Sequence, residues 1–414
     1  MINPNFIKPR YNSHCFADLP ATIKYLLTGQ GQPALAPEIF GDYLRQYDKV
    51  ILLFVDAFGW RFFNQYRTRI PLLAQLGQHG KVAKLTSQFP STTAAHVTCI
   101  HTGLNNGQSG VYEWYYYEPL LDAIITPLYF SFAGDSERET LTPTRIDPKL
   151  LYPTHTIYHD LAVHGVNSYI IQPRAYTNST YSSIISDGGQ FVPYKTIPEA
   201  FVNLRLLLGE TKTPSYFFCY FDCIDGIGHE YGPNSLQFEA EVESLFQIMA
   251  RQFFDPLAGQ LDNTLLIVTA DHGQVEVDPK TTIYLNRDPN FAGVERFLKL
   301  DRFGKLLVPA GSSRDMFLYI KDGMLDEAQA FLASRLQGRA EVYQTEMLIK
   351  AGFFGPLPVS DRFLARVGNL VILPYAHESV WWYEYKRFEH IFYGHHGGLT
   401  AQEMEIPLLL WNFN

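Results

Sequence analysis

Acid, imidazole and hydroxyl side chains cluster where strand-like apolar runs stop. Asp56 directly follows the run Val50–Val55. Asp225-Gly-Ile-Gly-His229 comes shortly after Tyr216–Phe221, and Asp271-His272-Gly273 after Leu265–Thr269. His395-His396 sits among glycines ahead of Pro407–Leu410. A further segment, Phe89-Pro-Ser-Thr-Thr-Ala-Ala-His96, opens a helix-like run that ends at Gly103. Asp and His four residues apart can reach one ion. Adjacent Asp and His point apart within a strand, but at a strand end that opens into glycine both can turn to one ion. A Thr at a helix N-terminus is both a cap and a candidate nucleophile, because the free N–H groups and the dipole there favour an anion.

Taken singly, each motif has an ordinary reading: a turn carboxylate, a helix cap, a polar loop. Taken together they supply nitrogen and carboxylate donors without thiolates. That set suits zinc, with manganese or iron as alternatives. Two such divalent ions about 4 Å apart clamp the attacking and leaving oxygens of an in-line displacement at phosphorus.

In order and spacing these motifs resemble the alkaline phosphatase superfamily, and within it the nucleotide pyrophosphatase/phosphodiesterase branch. The likeness covers roughly residues 48–112, 215–275 and 390–412. Phe89-Pro90 and Thr102-Gly103 fit the frame of that branch and place the nucleophile at Thr93 rather than Thr92. The resemblance implies one ion held by Asp225, His229 and His396, and another held by Asp56, Asp271, His272 and the Thr93 oxygen. It implies hydrolysis of phosphodiester or pyrophosphate bonds in small molecules, nucleotides among the candidates, through a phosphothreonine. Where the family usually has an Asn that donates to a phosphate oxygen this chain has His96, whose imidazole is expected to donate in its place. Ala94 stands where a base-stacking ring is common, and the run Tyr112–Tyr117 reads as ordinary packing, with a stacking role as the alternative.

The same site could serve a phosphomonoester, a phosphonate or a sulfate ester. A dianionic monoester calls for extra positive charge, and Phe89–Gly103 contains neither Arg nor Lys, which leans toward a diester. A catalytically inactive metal-binding protein is the reading from another class. The presence of every candidate ligand and of the nucleophile argues against it.

These residues need a scaffold that brings several strand ends together. Short, wholly apolar runs suit strands buried on both faces of a parallel sheet. Val50–Val55, Ser168–Ile171, Tyr216–Phe221, Leu265–Thr269, Asn369–Leu373 and Pro407–Leu410 read this way. Between them, Phe238, Val242, Leu245, Phe246, Met249 and Phe253 form one stripe of a helix over Ser235–Phe254. The expected fold is α/β, a mostly parallel central sheet with helices on both faces. In such sheets ligands bind beyond the carboxyl ends of the strands. Residues 284–362 break the rhythm and read as a small α+β insertion, a cap or a buttress, set into a catalytic core of 1–283 and 363–414.

The 414 residues carry a net charge of −9, which excludes general nucleic-acid binding driven by phosphate contacts. A small-molecule phosphate ester is the expected partner, and the oligomeric state is left open. The four cysteines, Cys15, Cys99, Cys219 and Cys223, are too sparse for a disulfide framework and read as free thiols. The N-terminal stretch has no apolar signal-like core. The longest apolar runs fall far short of the roughly 20 residues of a membrane helix, so no membrane partner and a cytoplasmic location are expected.

Overall fold

The computed structural model describes residues 2–413. Its centre is a seven-stranded sheet of β1 (Lys49–Val55), β2 (Lys81–Thr86), β3 (Asn167–Ile171), β4 (Gln190–Phe191), β5 (Ser215–Phe221), β6 (Thr264–Thr269) and β10 (Glu405–Phe413). The order across the sheet is β2-β10-β6-β1-β5-β3-β4. β1 pairs in parallel with β5 and β6, and β3 with β4 and β5. Only β10 runs the other way, antiparallel to both β2 and β6. The start of β10 therefore lies at the same sheet edge as the ends of β1, β5 and β6.

The run of β5, with no polar alternation, does lie between two helix layers. Successive residues of a strand face opposite sides. Phe218 of β5 meets His101 of α2 (Thr93–Thr102) with ring centroids 4.6 Å apart, while Phe221 stacks on Phe201 of α3 (Ile197–Glu210) at 4.9 Å. Helices α4 (Cys223–Tyr231) and α5 (Leu236–Met249) follow β5. The predicted stripe of α5 is buried along its length, and Phe253 continues it into a π-helical turn at Ala250–Phe254.

The second sheet contains β7 (Met316–Leu318), β8 (Ala340–Gln344) and β9 (Leu370–Pro374), with β9 in the middle and both pairings antiparallel. The run Asn369–Leu373 was expected in the parallel sheet. It is instead the central strand of this small one, which therefore extends past the expected boundary at residue 362. A short apolar run reports burial on both faces but not which sheet provides the neighbours. The small sheet and α6 (Leu325–Arg335) bury Phe297, Met316, Leu318, Leu332, Leu370 and Ile372 in a core of their own. A third cluster, containing Phe89, Tyr112, Tyr116, Phe317 and Leu399, joins this unit to the site edge of the main sheet. Among the described residues the cysteines are unbridged, with Cys15, Cys99 and Cys219 buried, and no helix is long and apolar enough to cross a membrane.

Candidate active site

The edge where β1, β5 and β6 end and β10 begins collects seven of the eight predicted site residues. Asp56 leaves β1 and Asp271-His272 leaves β6. Asp225 and His229 lie one turn apart on α4, Thr93 opens α2, and His396 arrives on the loop before β10. Gly273 lets this edge close up: a Cβ there would lie 2.1 Å from the Gln402 carbonyl oxygen and 3.2 Å from the Gly59 Cα.

The Thr93 hydroxyl lies 3.4 Å from Asp56 Oδ2 and 3.3 Å from His272 Nε2. His272 Nε2 is also 3.4 Å from Asp56 Oδ1 and 3.3 Å from Asp271 Oδ2. Asp56, Asp271 and His272 thus form one compact group. A second, Asp225, His272 and His396, shares His272 with it. His229 stands beside Asp225, Nε2 to Oδ2 3.3 Å.

The imidazoles share one orientation. The Nδ1–H of His229 donates to the Gly394 carbonyl at 2.7 Å, that of His272 to Gly273 at 3.0 Å, and that of His396 to Ser91 at 2.9 Å. A carbonyl only accepts, so the proton sits on Nδ1 and Nε2 is turned to the acid oxygens. This is how proteins orient metal-binding histidines.

The electrostatics also call for cations. Burial, and then the neighbouring Asp271 and Asp225, hold the Asp56 carboxyl well above its usual range. Burial pushes Asp271 up to about 7. Burial alone would raise Asp225, but His229, His396 and His272 around it pull it below the usual range. Burial keeps His396 neutral, at about 4, and His272 lower than usual. Asp56 Oδ1 and Asp271 Oδ2 are buried with no hydrogen-bond partner. Leaving acid oxygens so costs free energy that bound cations would offset. The donor set therefore fits divalent cations.

His96 requires a correction. It was expected to donate to a phosphate oxygen, but it is fully buried and both ring nitrogens are occupied. The Gln88 backbone N–H donates to Nε2 at 2.9 Å, and Nδ1–H donates to the Thr92 carbonyl at 2.7 Å. Its ring packs edge-on against Phe16 at 4.8 Å. Burial lowers its pKa to about 3, so it stays neutral. His96 ties the end of β2 to the first turn of α2 and positions Thr93 from behind. His96→Ala leaves a cavity and an unpaired Gln88 N–H. It is expected to cost about 3 kcal/mol or more, read by urea denaturation; a loss confined to substrate affinity would restore the original reading.

Other residues about the site carry no motif. Tyr220 donates its hydroxyl to Asp56 Oδ2. Gln274 donates to Asp225 Oδ1 at 2.6 Å. Ser91 and Gly394 offer their carbonyls, and the Ser91 hydroxyl also donates to the Gly398 carbonyl at 2.8 Å and accepts from the Gly397 N–H at 3.1 Å. Tyr220 pairs with Phe54 across β5 and β1, a register no local pattern encodes.

Two cavities flank Thr93 and share Thr93, Trp114 and Asp225 as walls. One, of about 230 Å³, continues past Tyr129, Arg138 and Tyr176. The other, of about 390 Å³, is walled by Tyr115, Trp381 and Phe388 with Glu113 and Arg387. The run Tyr112–Tyr117 thus divides its work: Tyr112 and Tyr116 are core, while Trp114 and Tyr115 line the cleft.

The sequence profile of the family described as Type I phosphodiesterase / nucleotide pyrophosphatase matches residues 50–399. The chain belongs to that family. This phosphodiesterase-family chain is 24% identical over 238 residues to the venom phosphodiesterase CdcPDE of Crotalus durissus collilineatus. The matched stretch is 55% of this chain and 26% of the venom protein, so it spans about a quarter of that relative. The murine ectonucleotide pyrophosphatase/phosphodiesterase 5 structure superposes with a TM-score of 0.63 at 19% identity, covering 87% of each chain. Phosphonoacetate hydrolase from Sinorhizobium meliloti 1021, in complex with phosphonoformate, gives 0.61 at 17% identity over 87% of this chain and 89% of that one. Both likenesses show a shared fold.

Proposed function

We propose that this chain hydrolyses a phosphodiester or pyrophosphate bond of a small molecule through a phosphothreonine at Thr93. The observation that supports it best is the Thr93 hydroxyl at a helix N-terminus, 3.4 Å from Asp56 and 3.3 Å from His272, with a cavity on each side. Two cavities suit a phosphorus that bears two substituents, which favours the diester over the monoester.

Asp56, Asp271, His272 and Thr93 would hold one divalent cation, and Asp225, His229 and His396 the other. Bound there, the cations would lower the pKa of the hydroxyl and neutralise charge on the phosphoryl oxygens. Thr93 Oγ attacks phosphorus, the bond to the leaving oxygen breaks in line, and the phosphothreonine is then hydrolysed. The free N–H groups at the start of α2 hold the phosphoryl oxygens. Tyr220 and Gln274 keep Asp56 and Asp225 in place through the reaction.

Turnover of bis(p-nitrophenyl) phosphate is expected to vanish on exhaustive chelation and to return with added zinc. Full activity in the stripped protein would overturn this reading. So would a preference of tenfold or more for p-nitrophenyl phosphate, because a site built for two substituents should not favour one.

A further inference from the structure

Arg138 is the feature of the cleft that this reaction leaves unused. It lines the smaller arm, the one that shares Thr93 and Trp114 with the rest of the cleft. Its guanidinium carbon lies 4.3 Å from the centroid of the Tyr129 ring and 5.1 Å from that of Tyr176. One of its nitrogens donates to the Ala175 carbonyl at 3.3 Å. Among the described residues no carboxylate lies within ion-pair distance of it. Two acids near it are engaged elsewhere: the adjacent Glu139 accepts from the Thr180 N–H and hydroxyl, and Asp222 on the same arm accepts from the Tyr176 hydroxyl. The arginine on the other arm differs. Arg387 is paired with Glu384 at 2.7 Å and donates to the Ala133 carbonyl at 2.8 Å.

A guanidinium held over aromatic rings is pre-organised, and its remaining N–H donors match a phosphate or carboxylate two at a time. We propose that the arm lined by Arg138 takes a substituent bearing a second anionic group, and that Arg138 is the residue that recognises it. This rests on the reading of Thr93 as the reacting centre, because the anion would sit on the group attached to the phosphorus beside Thr93. The chemistry is that of a phosphoanhydride, or of a phosphate or phosphonate carrying a carboxylate. The two share one recognition element, the bidentate fork.

The test is calorimetric binding to metal-loaded protein, with Thr93→Ala as a background that cannot turn over. Methylenediphosphonate and phosphonoacetate carry the second anion, and methylphosphonate lacks it. Wild-type protein should bind the first two more tightly than the third. In Arg138→Gln that preference should shrink by at least about tenfold, the usual weight of a charge-assisted pair. Arg138→Lys should restore part of it. Loss of the preference for methylenediphosphonate alone identifies a second phosphoryl group; equal loss for phosphonoacetate extends the class to carboxylates. An unchanged ratio in Arg138→Gln overturns the proposal. The same ligands binding well while no diester is hydrolysed would sink the parent reaction and leave Arg138's role standing.

Discussion

Thr93→Ala should lower kcat/KM for an activated phosphodiester by roughly 10⁴-fold or more, the scale of losses seen when a nucleophile is removed. The side chain is small and sits at the first turn of α2, so its loss leaves the helix start formed: the tie between His96 and the Gln88 and Thr92 backbones is untouched. Thr93→Ser keeps the oxygen and should retain a substantial part of the rate. The check is steady-state kinetics on bis(p-nitrophenyl) phosphate, with circular dichroism to confirm the fold. Trapped phosphoenzyme in wild type and none in Thr93→Ala would complete the case. Undiminished turnover in the alanine variant would move the nucleophile elsewhere, to Thr92 or to water.

The second large effect is on stability. Arg314 is fully buried and meets Glu403, also fully buried, through two bonds of 2.9 and 3.0 Å. It donates as well to the carbonyls of Pro374, Tyr375 and Glu378. Glu403 in turn accepts from the Gly398 N–H at 3.0 Å and the Thr400 hydroxyl at 2.6 Å. Removing the arginine strands a charged carboxylate without solvent. Arg314→Leu should therefore cost about 3–5 kcal/mol, measured by denaturant unfolding. Arg314→Met with Glu403→Leu should recover much of that, because an apolar pair replaces two charges. A single variant within about 1 kcal/mol of wild type would show the pair to be dispensable.

That pair also bears on the part played by the small sheet. Arg314 and Ser312 precede β7, and the Ser312 hydroxyl donates to the His396 carbonyl at 3.1 Å. Gly397 has φ +125°, and a Cβ there would fall 2.4 Å from Ser312 Oγ. These contacts tie the segment ahead of β7 to the loop bearing His396. The sequence could not announce it, because Arg314 and Glu403 are 89 residues apart and each alone looks like a surface charge.

The placement of Asp56, Asp271 and His272 at one end of the sheet was legible for a definite reason. A carboxylate directly after an apolar strand is aimed at the strand-end cleft, and strand ends are recognisable from composition. The helix of α5 was legible from its stripe. Asn369–Leu373 was not, because an antiparallel strand covered on both faces reads like a parallel one. His96 misled because the family resemblance puts a ligand-facing donor at its position, whereas helical geometry turns it inward toward the Gln88 backbone. Tyr220 and Arg138 depend on register and loop path, which arise only when the chain has folded.

The reversed strand β10 carries a consequence for how the protein is made. It lies between β2 and β6, so the sheet cannot close until Glu405–Phe413 slides into a slot between two strands that come earlier in the chain. Until then β2 and β6 each present an open edge, apolar in β6, the kind that pairs with other chains. His396 travels on the segment that fills this slot. The folding chain thus brings in the His396 imidazole and covers the open edge of β6 in the same event.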